Sequence, residues 1–137
     1  MSALDVVVER LKAEEGFRSH AYRDTLGHLT IGYGFNIEAG ISERCAASLM
    51  AAQIDEIQAQ LNDYSWFNGL DAVRGSVLLD IAFNAGVGGL LHFPKMLASI
   101  GARNWQGAHD ELLDSQAARM LPTRYEPLAK LLLTGEI

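Results

Sequence analysis

The spacing of apolar positions along this chain changes near residue 16. Before that point Leu4, Val7, Val8 and Leu11 recur at helical intervals, with Ser2 and Asp5 forming a capping signature ahead of them. The pattern predicts an amphipathic helix over 3–14, ended by Gly16. Residues 17–36 are of another kind. Leu29, Ile31, Tyr33 and Phe35 alternate with Thr30, Gly32 and Gly34, the period of a strand with one covered face. Asp24-Thr25-Leu26-Gly27 reads as a turn, so a small antiparallel sheet of two or three short strands is expected.

After Gly40 the pattern is helical to the end. Ser42 is placed to cap a helix reaching about Leu61, with Cys45, Leu49, Ile54, Ile57 and Leu61 on or near one side. Trp66, Phe67 and Gly69 mark a turn. Asp71 caps the next helix, whose Val73, Val77, Leu78, Ile81 and Ala85 are apolar on several faces, as in a central buried helix. Asn84 to Gly89 breaks it. Further helices are expected over 94–100 and 104–114, then a last one after Pro122, boxed by Thr123 and Glu126, packed through Leu128, Leu131 and Leu132, and closed by Gly135. The layout is α+β: one domain over 1–137, with a sheet lobe at about 16–40 and a helical lobe at about 41–137 that also takes the N-terminal helix.

Composition narrows the function classes. At 137 residues and 49% apolar content the chain can bury a real core. A net charge of −6 argues against a general nucleic-acid binder and gives no attraction to anionic surfaces. Cys45 is the only cysteine, which excludes an internal disulfide and suits a reducing compartment; its helical stripe predicts a small buried apolar residue. Asp5, Glu9 and Arg10 interrupt Val6-Val7-Val8, so neither a signal peptide nor a membrane span is expected. His20, His28, His92 and His109 lack metal-ligand spacing, and Gly86 to Gly89 lacks the Lys and Ser/Thr of a phosphate loop. No metal and no cofactor are expected.

Three residues carry the candidate chemistry. Glu15 stands just before the helix-ending glycine, where a helix C-terminus disfavours negative charge; this suits a carboxyl that must donate a proton, and burial among the following aromatics would reinforce it. Asp24 and Thr30 have ordinary readings too, as a turn-forming aspartate and a strand threonine. Together across a hairpin they make a pair able to hold and orient one water. Two carboxylates and a hydroxyl are what acid-assisted cleavage of a glycosidic bond requires.

This segment resembles the active-site region of phage-type lysozymes, glycoside hydrolase family 24, the T-even phage lysozyme-like endolysins. The shared pattern is Glu, eight residues, Asp, five residues, Thr, then Ile-Gly-x-Gly, and Glu15, Asp24, Thr30, Ile31, Gly32 and Gly34 fall on it without a gap. The likeness continues through Leu70 to Phe93, Trp105, Pro122-Thr-Arg and Thr134-Gly135, about residues 8–135. It implies a muramidase that cleaves the β-1,4 bond between N-acetylmuramic acid and N-acetylglucosamine in peptidoglycan, held in a cleft between the lobes. Glu15 would protonate the departing oxygen while Asp24 and Thr30 act on the attacking water. That route inverts the anomeric carbon, and inverting carboxyls stand roughly 6.5–9.5 Å apart. The resemblance also implies that Arg124 orients the acid, that Tyr22 lines its pocket, and that Phe83 and Asn84 contact sugar. Arg119 or Arg23 could fill the role of Arg124, and Tyr22 and Phe83 read equally well as core aromatics.

The implied partner is the peptidoglycan polysaccharide, with no nucleic acid and no stable membrane insertion. A monomer is expected, made in a bacterial host cytoplasm and reaching the wall after release by a separate pore-forming protein, or carried by a phage particle or toxin. A non-catalytic wall-binding protein of the same fold, a chitin-type hydrolase and a lytic transglycosylase stay open as alternatives. The chain departs from the family in three ways. Phe35 stands where many relatives have His. Ser115 is followed by Gln116 and Ala117 where a Trp is common, leaving Leu121 or Tyr125 to compensate. The net charge is acidic where many relatives are basic.

Overall fold

The computed structural model describes residues 1–137. The elements run α1 (Ala3–Glu15), β1 (Arg18–Arg23), β2 (Leu29–Gly32), β3 (Phe35–Asn36), a single 3-10 turn (Ile37–Ala39), α2 (Glu43–Leu61), α3 (Ala72–Leu90), α4 (Pro94–Gly101), α5 (Trp105–Leu113), α6 (Gln116–Met120) and α7 (Pro122–Thr134). This is the expected α+β class: one three-stranded antiparallel sheet in the order β1-β2-β3, and helices elsewhere. The chain forms two compact units, Met1–Ser48 and Leu49–Ile137, with the boundary inside α2. No single helix is long and apolar enough to cross a membrane.

The first unit is built from local signals. Ser2 Oγ accepts from the Asp5 amide and Asp5 Oδ2 accepts from the Ser2 amide, completing the capping box that starts α1. Gly16, at φ +70°, ends it, its amide bonded to the Lys12 carbonyl. The apolar stripe of α1 is not buried: Leu4, Val8 and Leu11 are exposed. Cys45 is exposed as well, which corrects the expectation of a buried thiol. Its helical spacing is real, but it lies in the first turn of α2, inside a unit with no buried apolar side chain to pack against. Spacing marks a face; burial needs a surface opposite it. Thr30 is the unit's one buried residue, at 3% exposure.

The second unit holds the core. Leu61, Val77, Leu78, Ile81, Leu90, Met96, Ile100, Leu112 and Leu132 are fully buried, so α3 is the central helix its composition implied. Asp71 caps it by accepting from the Arg74 amide. Its interior breaks at Gly86, where φ +79° and ψ 162° are not helical, within the stretch expected to interrupt it. Arg74 then ties α3 to the chain's end. Its guanidinium donates to the Leu132 and Leu133 carbonyls at 2.7 and 3.0 Å and stacks 3.9 Å over the Trp105 ring.

Two local expectations differ in the helical unit. The span before Pro122 contains α6 besides α5, because Ser115 Oγ accepts from the Ala118 amide and starts a new helix. The last helix has no Thr123–Glu126 box. Pro122, whose missing N–H costs nothing at a first helical position, begins it two residues earlier than that box would. Of the two residues that could replace the absent Trp, Tyr125 is buried against Phe93, with ring centroids 6.3 Å apart, and Leu121 is exposed.

Candidate active site

Glu15 is the last residue of α1, and Gly16 turns the chain directly into β1. The side chain is exposed rather than buried among aromatics. It packs nevertheless against the sheet. Gly34 sits in the β2–β3 turn at φ +77°, and a Cβ built there would lie 2.7 Å from Glu15 Oε2. The backbone angle favours glycine, and a larger residue there would displace the carboxyl packed against it. The second glycine of Ile-Gly-x-Gly is thus the space that Glu15 occupies.

Asp24 opens the β1–β2 hairpin loop. Its amide donates to the His28 carbonyl at 2.9 Å, and the Gly27 amide returns to the Asp24 carbonyl at 3.0 Å, with Gly27 at φ +83°. This is a three-residue loop with a glycine in the left-handed position. The carboxylate is used unevenly. Oδ1 accepts from the Leu26 and His28 amides, at 2.9 and 2.8 Å. Oδ2 has no hydrogen bond to the protein and lies 3.7 Å from His28 Nδ1. One oxygen therefore fixes the group, and the other is free to take a proton.

Thr30 pairs with Tyr22 on β1 and with Asn36 on β3, so these three share one face of the sheet, and the Asp24–His28 closure continues that row. Thr30 Oγ1 donates to the His28 carbonyl at 3.0 Å. With its proton committed there, the oxygen keeps its lone pairs for a donor such as water. Tyr22 is half-buried, with the Arg18 guanidinium 4.5 Å over its ring. The hairpin thus brings Asp24, Thr30 and Tyr22 together.

The remaining candidates lie in the second unit. Arg124 Nη2 forms an ion pair with Asp80 Oδ1, while Arg124 Nε is buried without a partner. Asn84, one turn further along α3, donates to the Asp80 carbonyl at 2.9 Å and to Asp80 Oδ1 at 3.3 Å. Asp80 thus joins Arg124 and Asn84, a link that sequence reading missed; the i, i+4 spacing of Asp80 and Asn84 was its only signal. Phe83 is 41% exposed on a groove shared with Gln53, Glu56 and Gln60 of α2. The other arginines considered have partners of their own: Arg119 with Asp114, and Arg23 with Glu38.

The Phage lysozyme family model matches residues 12–122, which include Glu15, Asp24 and Thr30. The chain belongs to the phage lysozyme family. Membership makes it a lysozyme-type glycoside hydrolase of lysozyme-like α+β fold. It is similar to the pre-baseplate central spike protein Gp5 of Enterobacteria phage T4, at 25% identity over 96% of this chain and 28% of that protein. It is also similar to the probable T4-type lysozyme 1 of Dictyostelium discoideum, at 23% identity over 96% of this chain and 95% of that protein. The chain therefore spans little more than a quarter of the first relative and nearly all of the second.

Proposed function

We propose that this protein is a muramidase acting on bacterial peptidoglycan, hydrolysing the β-1,4 bond between N-acetylmuramic acid and N-acetylglucosamine with inversion. Glu15 serves as general acid and protonates the departing glycosidic oxygen. Asp24 Oδ2 takes the proton of a water that Thr30 Oγ1 helps to orient, and that water attacks the anomeric carbon. Tyr22 takes a supporting part on the same hairpin.

One observation carries this reading. Asp24 is held through Oδ1 alone, which leaves Oδ2 free, and the same His28 backbone that fixes Oδ1 also fixes the Thr30 hydroxyl. General acid–base assistance of this kind contributes about 10²–10⁴-fold in rate.

Wall clearing by Glu15→Gln tests the reading. Clearing should fall by about 10²-fold or more, with circular dichroism unchanged. The product of the parent in ¹⁸O-water should carry one solvent oxygen at an inverted reducing end. A 1,6-anhydro product without solvent oxygen would identify a lytic transglycosylase instead. Parent-rate clearing by Glu15→Gln would remove Glu15 as the acid.

A further inference from the structure

We propose that His28 is a positioning residue for the water-activating carboxylate, and that its imidazole governs how basic Asp24 Oδ2 is. The proposal rests on the reading of Asp24 as the group that takes the proton from water.

Three bonds converge on the backbone of His28. Its amide donates to Asp24 Oδ1 at 2.8 Å. Its carbonyl accepts from the Asp24 amide at 2.9 Å and from Thr30 Oγ1 at 3.0 Å. The carboxylate and the hydroxyl, six residues apart in sequence, are thereby fixed to the backbone of one residue. Any side chain other than proline at position 28 would preserve those bonds. The imidazole adds something separate: Nδ1 stands 3.7 Å from Oδ2, the carboxylate oxygen that the backbone leaves free.

The charge of that ring decides what Oδ2 can do. A neutral imidazole leaves Oδ2 available to the water's proton. An imidazolium pairs with Oδ2, stabilises the anion and lowers its tendency to accept a proton. The charge of an imidazole depends on pH, so an imidazole facing Oδ2 makes the basicity of that oxygen depend on pH as well. The other charged groups on this turn are Arg23 of β1 and Glu38 of the 3-10 turn. Arg23 Nη1 donates to the Gly27 carbonyl and to Glu38 Oε1, both at 3.0 Å, so these two charges are paired with each other. The ring and the carboxylate are both partly solvated, with side chains 47% exposed for His28 and 34% for Asp24. An exposed pair of this kind corresponds to a rate effect of roughly two- to fivefold.

The test measures kcat and KM on soluble peptidoglycan fragments from pH 5 to 8 for the parent, His28→Asn and His28→Lys, with thermal midpoints alongside. Asn carries no titratable charge, and Lys stays cationic throughout. The ratio of kcat at pH 8 to kcat at pH 5 should be roughly two- to fivefold larger in the parent than in either variant. At pH 8 His28→Lys should be slower than His28→Asn by a similar factor, with KM and thermal midpoint alike. Glu38→Gln should leave the parent's large ratio in place. Equal ratios in all three proteins would overturn the proposal, as would differences confined to KM or tracking a lowered midpoint. If the parent releases no sugar at any pH, the muramidase reading fails, and this proposal falls with it. Parent turnover with no difference among the variants sinks the role of His28 alone.

Discussion

The two units of this protein are stabilised by different means. Every buried apolar side chain lies in Leu49–Ile137, whereas Met1–Ser48 buries one residue, the polar Thr30. The first unit relies instead on backbone devices. Five of the eight positive-φ glycines fall in it, at 16, 27, 32, 34 and 40. Its proposed chemistry is held by hydrogen bonds to peptide groups and by a missing Cβ. The contrast teaches that the proposed catalytic groups need no core of their own. A short hairpin with prescribed turns sets their geometry and leaves polar atoms open to a polymer, while the helical unit supplies the hydrophobic stabilisation.

Truncating the core should give the largest effect. Leu78→Ala removes a fully buried side chain of α3 and should cost about 2–5 kcal/mol in urea unfolding. Leu11→Ala, 43% exposed on α1, should stay within about 0.5 kcal/mol. Comparable losses from the two would erase the contrast. Next comes Gly34→Ala. Its φ of +77° implies a strain of about 1–2 kcal/mol. The added methyl also meets Glu15 Oε2, so wall clearing should fall by more than stability does. A variant with normal clearing would show that Glu15 does not depend on this turn.

The smallest effect concerns helix caps and pH. Desolvation tends to raise the pKa of Asp71, but the Arg74 amide bond, the bond from the Arg74 guanidinium and its charge outweigh it and hold the carboxyl below its ordinary 3.8. A lowered folded value means that the ionised cap contributes stability above the unfolded value, and that this is lost as pH falls through the folded one. Asp71→Asn should therefore narrow its gap from the parent between pH 5 and 2, in a difference of about 0.5–1 kcal/mol. Asp5, lowered by its side-chain and backbone bonds to Ser2, should follow the same sign in the first unit.

Much of this was legible because it is local. Ser2, Asp71 and Asn104 announce helix starts through side chains that meet their own backbone, and Asp24 to Gly27 announces a hairpin loop in the same way. What failed to show depends on the rest of the fold. Cys45 and Leu11 carry the right period, but their burial depended on packing that period cannot encode. The pairing of Arg124 with Asp80 spans 44 residues and has no sequence signature. His28 was discounted for metal binding, although its place four residues after Asp24 in a tight turn was the clue to its other use. Gly34 shows in sequence only as an alternating position of the strand pattern, and its packing against Glu15 depends on the fold.

The central claim is that Asp24 acts through its free oxygen while its other oxygen holds the turn. Asp24→Asn tests it most directly, because an amide oxygen can still accept from the Leu26 and His28 amides but the side chain can no longer take a proton from water. Wall clearing and thermal unfolding would be measured on the same preparation. Clearing should fall by about 10²-fold or more, with the midpoint essentially that of the parent. Clearing at the parent's rate would contradict the claim.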